Sequence, residues 1–240
     1  MNLAQRILMA RRRRMCGLPD CDRYWDHVVF LLSADDPGGV INDRSNFSHT
    51  VDVAGGAEAS NVQEVFAGNP SISFVSANAL VSTHPSAARI ALEEDFTLEA
   101  WVFIAASTAH GCFLSTFNGT QRVEDIFFRL FQTTLRWHLQ LGSIAASVSI
   151  VSSSVLNLGT WHHLAVSRVN GYISLFQDGV FVGGAADSRA VEPISTVRVG
   201  RAVDGWPING YIDELRITKG VARYTADFTP PTAPFPTTGP

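Results

Sequence analysis

The chain has 240 residues, of which 46% are hydrophobic and 17% charged, so it can build a sizeable core and is not globally disordered. Its formal net charge of −4 is too near neutral for a dedicated nucleic-acid coat. It has no apolar run of the ~18–20 residues that a membrane-spanning helix needs. The length fits one large domain with appendages, or two small domains.

The first 23 residues form a basic arm. They contain six arginines and two aspartates, so the arm carries a net charge of +4 and the remaining chain −8. Its short apolar stretch precedes the run Arg11, Arg12, Arg13 and Arg14, which is the wrong order for a secretory signal. A helix this short is unstable alone, so the arm either orders on a partner or stays frayed. An acidic protein surface, a phosphate backbone or another copy of the chain would suit it.

Three cysteines are present, at positions 16, 21 and 112. An odd count argues against a complete disulfide framework, and one loose pair beside His27 lacks the four ligands of a zinc site. Cys112 lies in an apolar run and is expected to be a small core residue. We favour three free thiols in a reducing compartment, although whether Cys16 and Cys21 pair stays open.

The sequence after residue 23 predicts β-strands. Short runs rich in β-branched and aromatic residues are separated by Gly, Asn, Asp and Pro. In Phe96–Ile104 the apolar side chains alternate with Thr97 and Glu99, as expected for a strand with one buried face. A second alternating run places Leu135, Trp137, Leu139 and Leu141 on one face and Arg136, His138 and Gln140 on the other.

The segment 161–186 gives the strongest local signal. Asn170-Gly171 and Asp178-Gly179 each separate two strand-like runs, and both pairs tolerate the positive φ angles of a type I′ turn. They predict a three-stranded antiparallel meander. Strands and helices do not alternate, which excludes a parallel sheet. The whole pattern predicts an all-β protein of two packed antiparallel sheets, a sandwich or jelly roll.

The C-terminal end is rich in proline. Five of the eleven prolines fall within residues 230–240, and proline cannot donate to a ladder, so an extended tail is expected. Order in the arm or the tail would need a surface to hold it, such as a neighbouring subunit. We therefore divide the chain into the arm (1–23), the jelly-roll body (24–228) and the tail (229–240).

Four segments resemble strands of laminin-G-like, concanavalin A-like jelly-roll domains in order and spacing: Phe96–Val102, Gly159–Val166, Tyr172–Gly179 and Asn209–Ile217. The resemblance extends over about residues 24–228 and implies a two-sheet concanavalin A-like jelly roll. The opening run Tyr24–Leu32 and the closing run Thr218–Pro231 are similar to versions found in tailed-bacteriophage virion proteins.

Neighbouring residues on a strand point to opposite faces, which limits the chemistry of two motifs. His162 and His163 cannot then hold one ligand together, and Asp213 and Glu214 are likewise expected to diverge. Asp213 is expected to point inward and accept backbone N–H groups. No run places two carboxylates on one strand face as a glycoside hydrolase needs, and no nucleophile or phosphate-loop motif occurs. We predict no catalytic residues.

Binding is the activity class that remains. Arg136, His138 and Gln140 offer planar polar groups for a carbohydrate, and Trp206 offers an aromatic platform. The alternative is a solvated strand face with a loop Trp tucked into the core. We expect no cofactor. Some laminin-G-like domains bind calcium, and Asp204 is the best single candidate ligand, although a full set of oxygens cannot be assembled.

The resemblance to tailed-bacteriophage virion proteins implies a non-enzymatic virion structural protein, a capsid decoration or a head or tail appendage, made in the host cytoplasm. Arg11 to Arg14 would attach it to other virion proteins or to sister subunits, and the jelly roll would face host surface glycans. The alternative is a secreted or surface carbohydrate-binding module. Nucleic-acid binding would rest on four arginines alone and is disfavoured.

Overall fold

The computed structural model describes residues 21–36, 38–83, 92, 94–106, 110–116, 126–131, 134–143, 146–189, 196–203 and 205–240. Within these ranges a 3₁₀ turn at Trp25–His27 precedes sixteen strands. None of the helical structure in the described part of the chain is long and apolar enough to cross a membrane. Arg11 to Arg14 and Asp204 lie outside the described residues.

The strands are numbered in chain order: β1 Val28–Asp36, β2 Val40–Asp43, β3 Val51–Ala54, β4 Glu58–Ser60, β5 Ser71–Ser73, β6 Leu80–Thr83, β7 Phe96–Ile104, β8 His110–Ser115, β9 Ile126–Phe131, β10 Arg136–Ser143, β11 Ala146–Val151, β12 Trp161–Val169, β13 Tyr172–Gln177, β14 Val180–Ala186, β15 Val197–Val199 and β16 Gly210–Lys219.

The strands form two antiparallel sheets. The nine-stranded sheet has the order β14-β13-β12-β7-β16-β1-β2, with β5 added beside β16 and β4 beside β5. The seven-stranded sheet has the order β11-β10-β9-β8-β15-β6-β3. The predicted fold, an all-β, two-sheet jelly-roll sandwich of the concanavalin A-like type, is confirmed.

The core lies between the two sheets and follows the predicted alternation. From β7 it takes every second residue, including Leu98, Ala100 and Val102. From β10 it takes Trp137 and its alternate neighbours, all buried. The side chains between them therefore lie on the outer face of each sheet, the face directed away from the core.

Both predicted hairpin turns are present. Asn170 and Gly171 have φ angles of 50° and 75°, and Asp178 and Gly179 have 53° and 81°. The turns join β12 to β13 and β13 to β14 in the expected meander. Gly179 has a second constraint, because a Cβ atom there would lie 1.9 Å from the carbonyl oxygen of Phe228.

The C-terminal tail packs on the outer face of the nine-stranded sheet. The Phe235 side chain is 5% exposed, and the Arg216 guanidinium lies 3.5 Å from its ring centroid. Further along, the Thr238 carbonyl accepts the N–H of Asp22 at 2.9 Å. The tail has the predicted non-strand conformation, and these contacts show that the body of the same chain supplies a surface that holds it.

The cysteines differ from expectation. Cys21 is disulfide-bonded, with its partner outside the described residues, so the prediction of three free thiols is wrong. An odd count excludes a complete framework but not a single bond. Cys112 is a buried thiol in a small apolar cluster with Ala202, as expected of a small core residue.

We expect Phe235→Ala to lower the free energy of unfolding by about 3 kcal/mol, because it removes a buried aromatic ring. Phe181→Ala is the matched control, since its ring is 47% exposed, and it should cost less than half as much. Urea unfolding of both variants checks this. If Phe235→Ala lowers the free energy of unfolding no more than Phe181→Ala does, the buried Phe235 ring of the tail stabilises the body no more than an exposed ring.

Candidate functional site

The outer face of the seven-stranded sheet carries a polar patch centred on Arg129. This residue lies between the core residues Phe128 and Leu130 of β9, so its side chain points outward. Its Nε donates to His138 Nε2, and its Nη2 donates to Gln140 Oε1 at 3.2 Å. The pairing of β9 with β10 brings these three side chains together, with Arg129 directly opposite His138.

Trp206 joins the same patch from the loop after β15. The Arg129 guanidinium lies 4.9 Å from the Trp206 ring centroid, a cation–π contact. The indole also lies 5.0 Å from the His110 ring and packs on Cys112 and Ala202. Trp206 is half-buried, so the indole is neither a free platform nor a core residue. We call Arg129, His138, Gln140 and Trp206 the Arg129 patch.

The structure therefore brings together three of the four residues that the sequence suggested for carbohydrate contact. Arg136, the fourth, makes a different contact: its Nη1 donates a hydrogen bond to the Ser152 carbonyl at 3.0 Å. Arg129, which links the other three, was not predicted. The signal was available, since a lone arginine between Phe128 and Leu130 must face outward in a strand.

Both histidines near Arg129 are held neutral. Burial, then Arg129, then His110 lower the pKa of His138 from 6.5 to about 4. Burial and Arg129 also lower the pKa of His110. Near pH 7, His138 thus accepts a hydrogen bond from Arg129, and the positive charge of this group resides on the guanidinium.

The outer face of the nine-stranded sheet holds a buried ionic network around Glu99. Arg216 donates to Glu99 Oε1 through Nη2 at 2.8 Å, and Tyr224 donates to Oε2 at 2.7 Å. Burial opposes the charge on Glu99, yet Arg216 and His163 hold its pKa well below the usual range. Asp22 lies on the other side of Arg216, at 3.1 Å. Because these charges are paired and buried, we assign the network to stability.

The two vicinal histidines diverge as predicted. His162 shares a 2.7 Å contact with Asp178 through Nδ1 and accepts the Asn157 N–H through Nε2. His163 lies instead on the outer face, with Nε2 3.3 Å from Glu99. They therefore hold no common ligand.

Asp213 and Glu214 do not diverge, so that prediction is wrong. They lie with Asp35 in a cluster whose candidate ligand oxygens are all within 4.8 Å of one another. Asp213 also faces the outer side of the sheet, opposite Trp101, and not the core. The cause is a β-bulge between Asp213 and Arg216, where Glu214 has a φ of 51°. The alternation rule fails at such a bulge.

The pKa values of Asp213 and Glu214 in this cluster are strongly raised. Burial, then Asp35, raises the pKa of Asp213 to about 8, although the Glu214 N–H donates to it. Burial, then the charge on Asp213, then a side-chain hydrogen bond with Asp35 raise the pKa of Glu214 well above its usual value. Both residues are nearly fully buried, which denies a polymeric substrate access to their carboxylates.

A cavity of about 340 Å³ lies between the start of the body and the tail. Its lining includes Asp22, Tyr24, Arg216, Arg223 and Phe235. The acidic residue among these, Asp22, already pairs with both arginines. This cavity therefore does not present two carboxylates across a cleft.

Comparison with known protein families identifies the family to which this fold belongs. Residues 76–223 match a laminin G domain model described as the concanavalin A-like lectin/glucanases superfamily. The chain belongs to this family. No curated protein matches the chain.

Solved structures share the concanavalin A-like fold at low identity. Domain 4 of AbnA, an extracellular arabinanase from Geobacillus stearothermophilus in complex with arabinotriose, has a TM-score of 0.63 and 18% identity over 81% of this chain and 93% of that one. The binding domain of botulinum neurotoxin serotype C1 has a TM-score of 0.64 and 11% identity over 82% of this chain and 50% of that one. The corresponding neurotoxin DC domain in complex with SialylT scores 0.61 at 11% identity, over 82% and 49%.

This concanavalin A-like chain thus spans about half the length of the neurotoxin binding domains. The superfamily description names both lectins and glucanases, so the fold alone does not separate binding from catalysis. The side chains must decide, and in the Arg129 patch Arg129, Gln140 and Trp206 are partly exposed.

We expect acid to destabilise the body through His138. The unfolded chain takes up this proton near pH 6.5 and the folded chain only near pH 4, so stability is lost as the pH falls between those values. The loss is up to about 3 kcal/mol. His138→Gln keeps an acceptor for Arg129 but cannot be protonated, and should reduce this loss. Urea unfolding at several pH values checks it; identical pH profiles would refute it.

Proposed function

We propose that this chain is a non-catalytic carbohydrate-binding jelly roll that contacts its glycan through the Arg129 patch. One observation carries the proposal: Arg129 joins Gln140 and the partly exposed Trp206 on one outward face. Planar polar groups beside an indole are the pairing that sugars need. Sugar hydroxyls come in adjacent pairs that a guanidinium or an amide can meet together, and the C–H face of the ring packs on an aromatic side chain.

Two further observations support a sugar ligand and argue against hydrolysis. The related AbnA domain was solved with arabinotriose, and the related neurotoxin domain with SialylT. A glycosidase needs two carboxylates flanking one accessible bond. In the described residues, the clustered carboxyl groups of Asp213 and Glu214 are nearly fully buried.

A glycan array with the full chain, followed by titration calorimetry on the best hit, tests this role. We expect Arg129→Ala and Gln140→Ala each to weaken binding by about tenfold, as loss of a hydrogen-bonding group would. Tyr172→Ala is the matched control, since Tyr172 is 45% exposed at the start of β13 in the opposite sheet. If all three variants bind the glycan with the same affinity, the glycan does not bind at the Arg129 patch.

We further propose that the jelly roll is a virion component, a capsid decoration or a head or tail appendage. Support comes from the similarity of Tyr24–Leu32 and Thr218–Pro231 to segments of tailed-bacteriophage virion proteins. The run Arg11 to Arg14 would dock on acidic surfaces of other virion proteins or of sister subunits, where guanidinium groups pair with carboxylates. In the alternative, the chain is a secreted or surface carbohydrate-binding module.

Deleting residues 1–15 tests the attachment role while keeping Cys16 in the chain. We expect a folded body with an unchanged melting temperature that no longer joins its particle. Incorporation is measured by mass spectrometry of purified particles. Normal incorporation of the truncated chain would refute attachment through the arm. If the arm binds nucleic acid instead, binding weakens steeply with salt and is lost in the truncated chain.

A further inference from the structure

The cavity of about 340 Å³ beside the tail is built from three separate parts of the chain. The segment before β1 supplies Arg23 and Tyr24, the end of the body supplies Arg216 and Arg223, and the tail supplies Phe235. A cavity of this volume is large enough for a small organic molecule. The side chains that line it indicate which class of molecule it suits.

Two of the arginines at this cavity are already balanced by carboxylates. Asp22 contacts Arg216 Nη1 at 3.1 Å and Arg223 Nη2 at 2.6 Å. Glu99, behind Arg216, contacts its Nη2 at 2.8 Å. Two positive and two negative charges therefore offset one another, and these contacts fix both guanidinium groups in place.

Arg23 adds a positive charge that this network does not balance. Its guanidinium lies 4.5 Å from the centroid of the Tyr24 ring, and within the described ranges no carboxylate pairs with it. The Arg223 guanidinium lies 5.2 Å from the same ring centroid. Tyr24 is thus within cation–π distance of both groups, and the cavity lining carries an excess of positive charge.

The two paired arginines also have unused hydrogen-bond donors. A guanidinium carries five N–H groups. Arg216 donates three of them to Glu99 and Asp22, and Arg223 donates three to Thr218 and Asp22. As far as the described residues go, each arginine therefore has two N–H groups (five minus three) left for another acceptor.

We propose that this cavity binds a small organic anion through a carboxylate or phosphate group. The planar fork of a guanidinium meets two oxygens of such a group at once, and charge-assisted hydrogen bonds of this kind are strong. The charged group would contact Arg23 and Arg223, and the rest of the molecule would pack on Pro231 and Phe235 of the tail. A neutral or cationic molecule would leave the charge of Arg23 unbalanced.

Such a ligand would connect the start of the body to the tail. The Asp22 N–H donates to the Thr238 carbonyl at 2.9 Å at this junction. An anion that contacts Arg23 and the tail together would stabilise the junction increasingly as its concentration rises. The site does not depend on the proposed glycan role, because the Arg129 patch lies on the other sheet. Failure of either proposal would therefore leave the other intact.

The test is thermal unfolding and titration calorimetry of the full chain with inorganic phosphate and with citrate, each compared with sodium chloride at equal ionic strength. We expect phosphate, citrate or both to raise the wild-type melting temperature by several degrees above its value in chloride. A response to phosphate alone identifies a phosphate ligand, and a response to citrate alone identifies a carboxylate ligand. Hydrogen exchange at the Asp22 amide should slow under the same conditions, because this N–H lies at the junction with the tail.

Arg23→Gln should weaken anion binding by roughly tenfold, as loss of a charged donor would, with little change in the melting temperature in chloride. Arg201→Gln is the matched control, since Arg201 lies in the loop after β15 of the other sheet, and it should bind as the wild type does. The proposal is overturned if the wild type melts at the same temperature in phosphate, citrate and chloride. It is also overturned if Arg23→Gln binds as tightly as Arg201→Gln, which would mean that the anion binds elsewhere.

Discussion

The constraint on which much of the structure depends is the register of β16 against β7. Asp213 pairs with Trp101 and Arg216 with Glu99, so two residues of β16, Glu214 and Leu215, stand opposite one residue of β7. One extra residue shifts the alternation, so Asp213 and Arg216 share the outer face although they are three positions apart. Without the bulge, Arg216 would face the core and could not reach Glu99.

The bulge also decides how charge is distributed on this face. On one side of it, Arg216 meets Glu99 and Asp22, and the charges there are balanced by short contacts. On the other side, Asp213 and Glu214 meet Asp35, and burial together with the neighbouring carboxyl groups raises the pKa of both Asp213 and Glu214. Breaking a buried ion pair leaves an uncompensated charge and costs more than the pair contributes. The loss of either partner on the Arg216 side would therefore destabilise the fold.

Much of the fold could be predicted because it depends on local patterns. Alternation in Phe96–Ile104 and in β10 gives the correct buried face, since one side of each strand packs in the core. Asn170-Gly171 and Asp178-Gly179 adopt the positive φ angles that their residue types allow. The structure also places Trp206 and His138 together on one outer face, through contacts with Arg129, which was not predicted.

The failures share a physical cause, since each depends on contacts between segments distant in sequence. A bulge at Glu214 follows from pairing with two different neighbours, and no local pattern in the sequence marks it. The tail looks like a free end because proline removes donors, but Phe235 is held by Glu214 and Arg216 of β16. Its order therefore depends on tertiary packing, which a reading of residues 229–240 alone does not contain.

The two outer faces therefore differ in which side chains they expose to a ligand. The tail packs on the nine-stranded face, and the charged groups of the Glu99 network there are buried. The seven-stranded face leaves Trp206 and Gln140 partly exposed around one guanidinium. The core separates the faces, and sites without shared partners usually contribute additively to stability. A substitution in the buried ionic network of one face would therefore alter stability without altering the side chains exposed on the other.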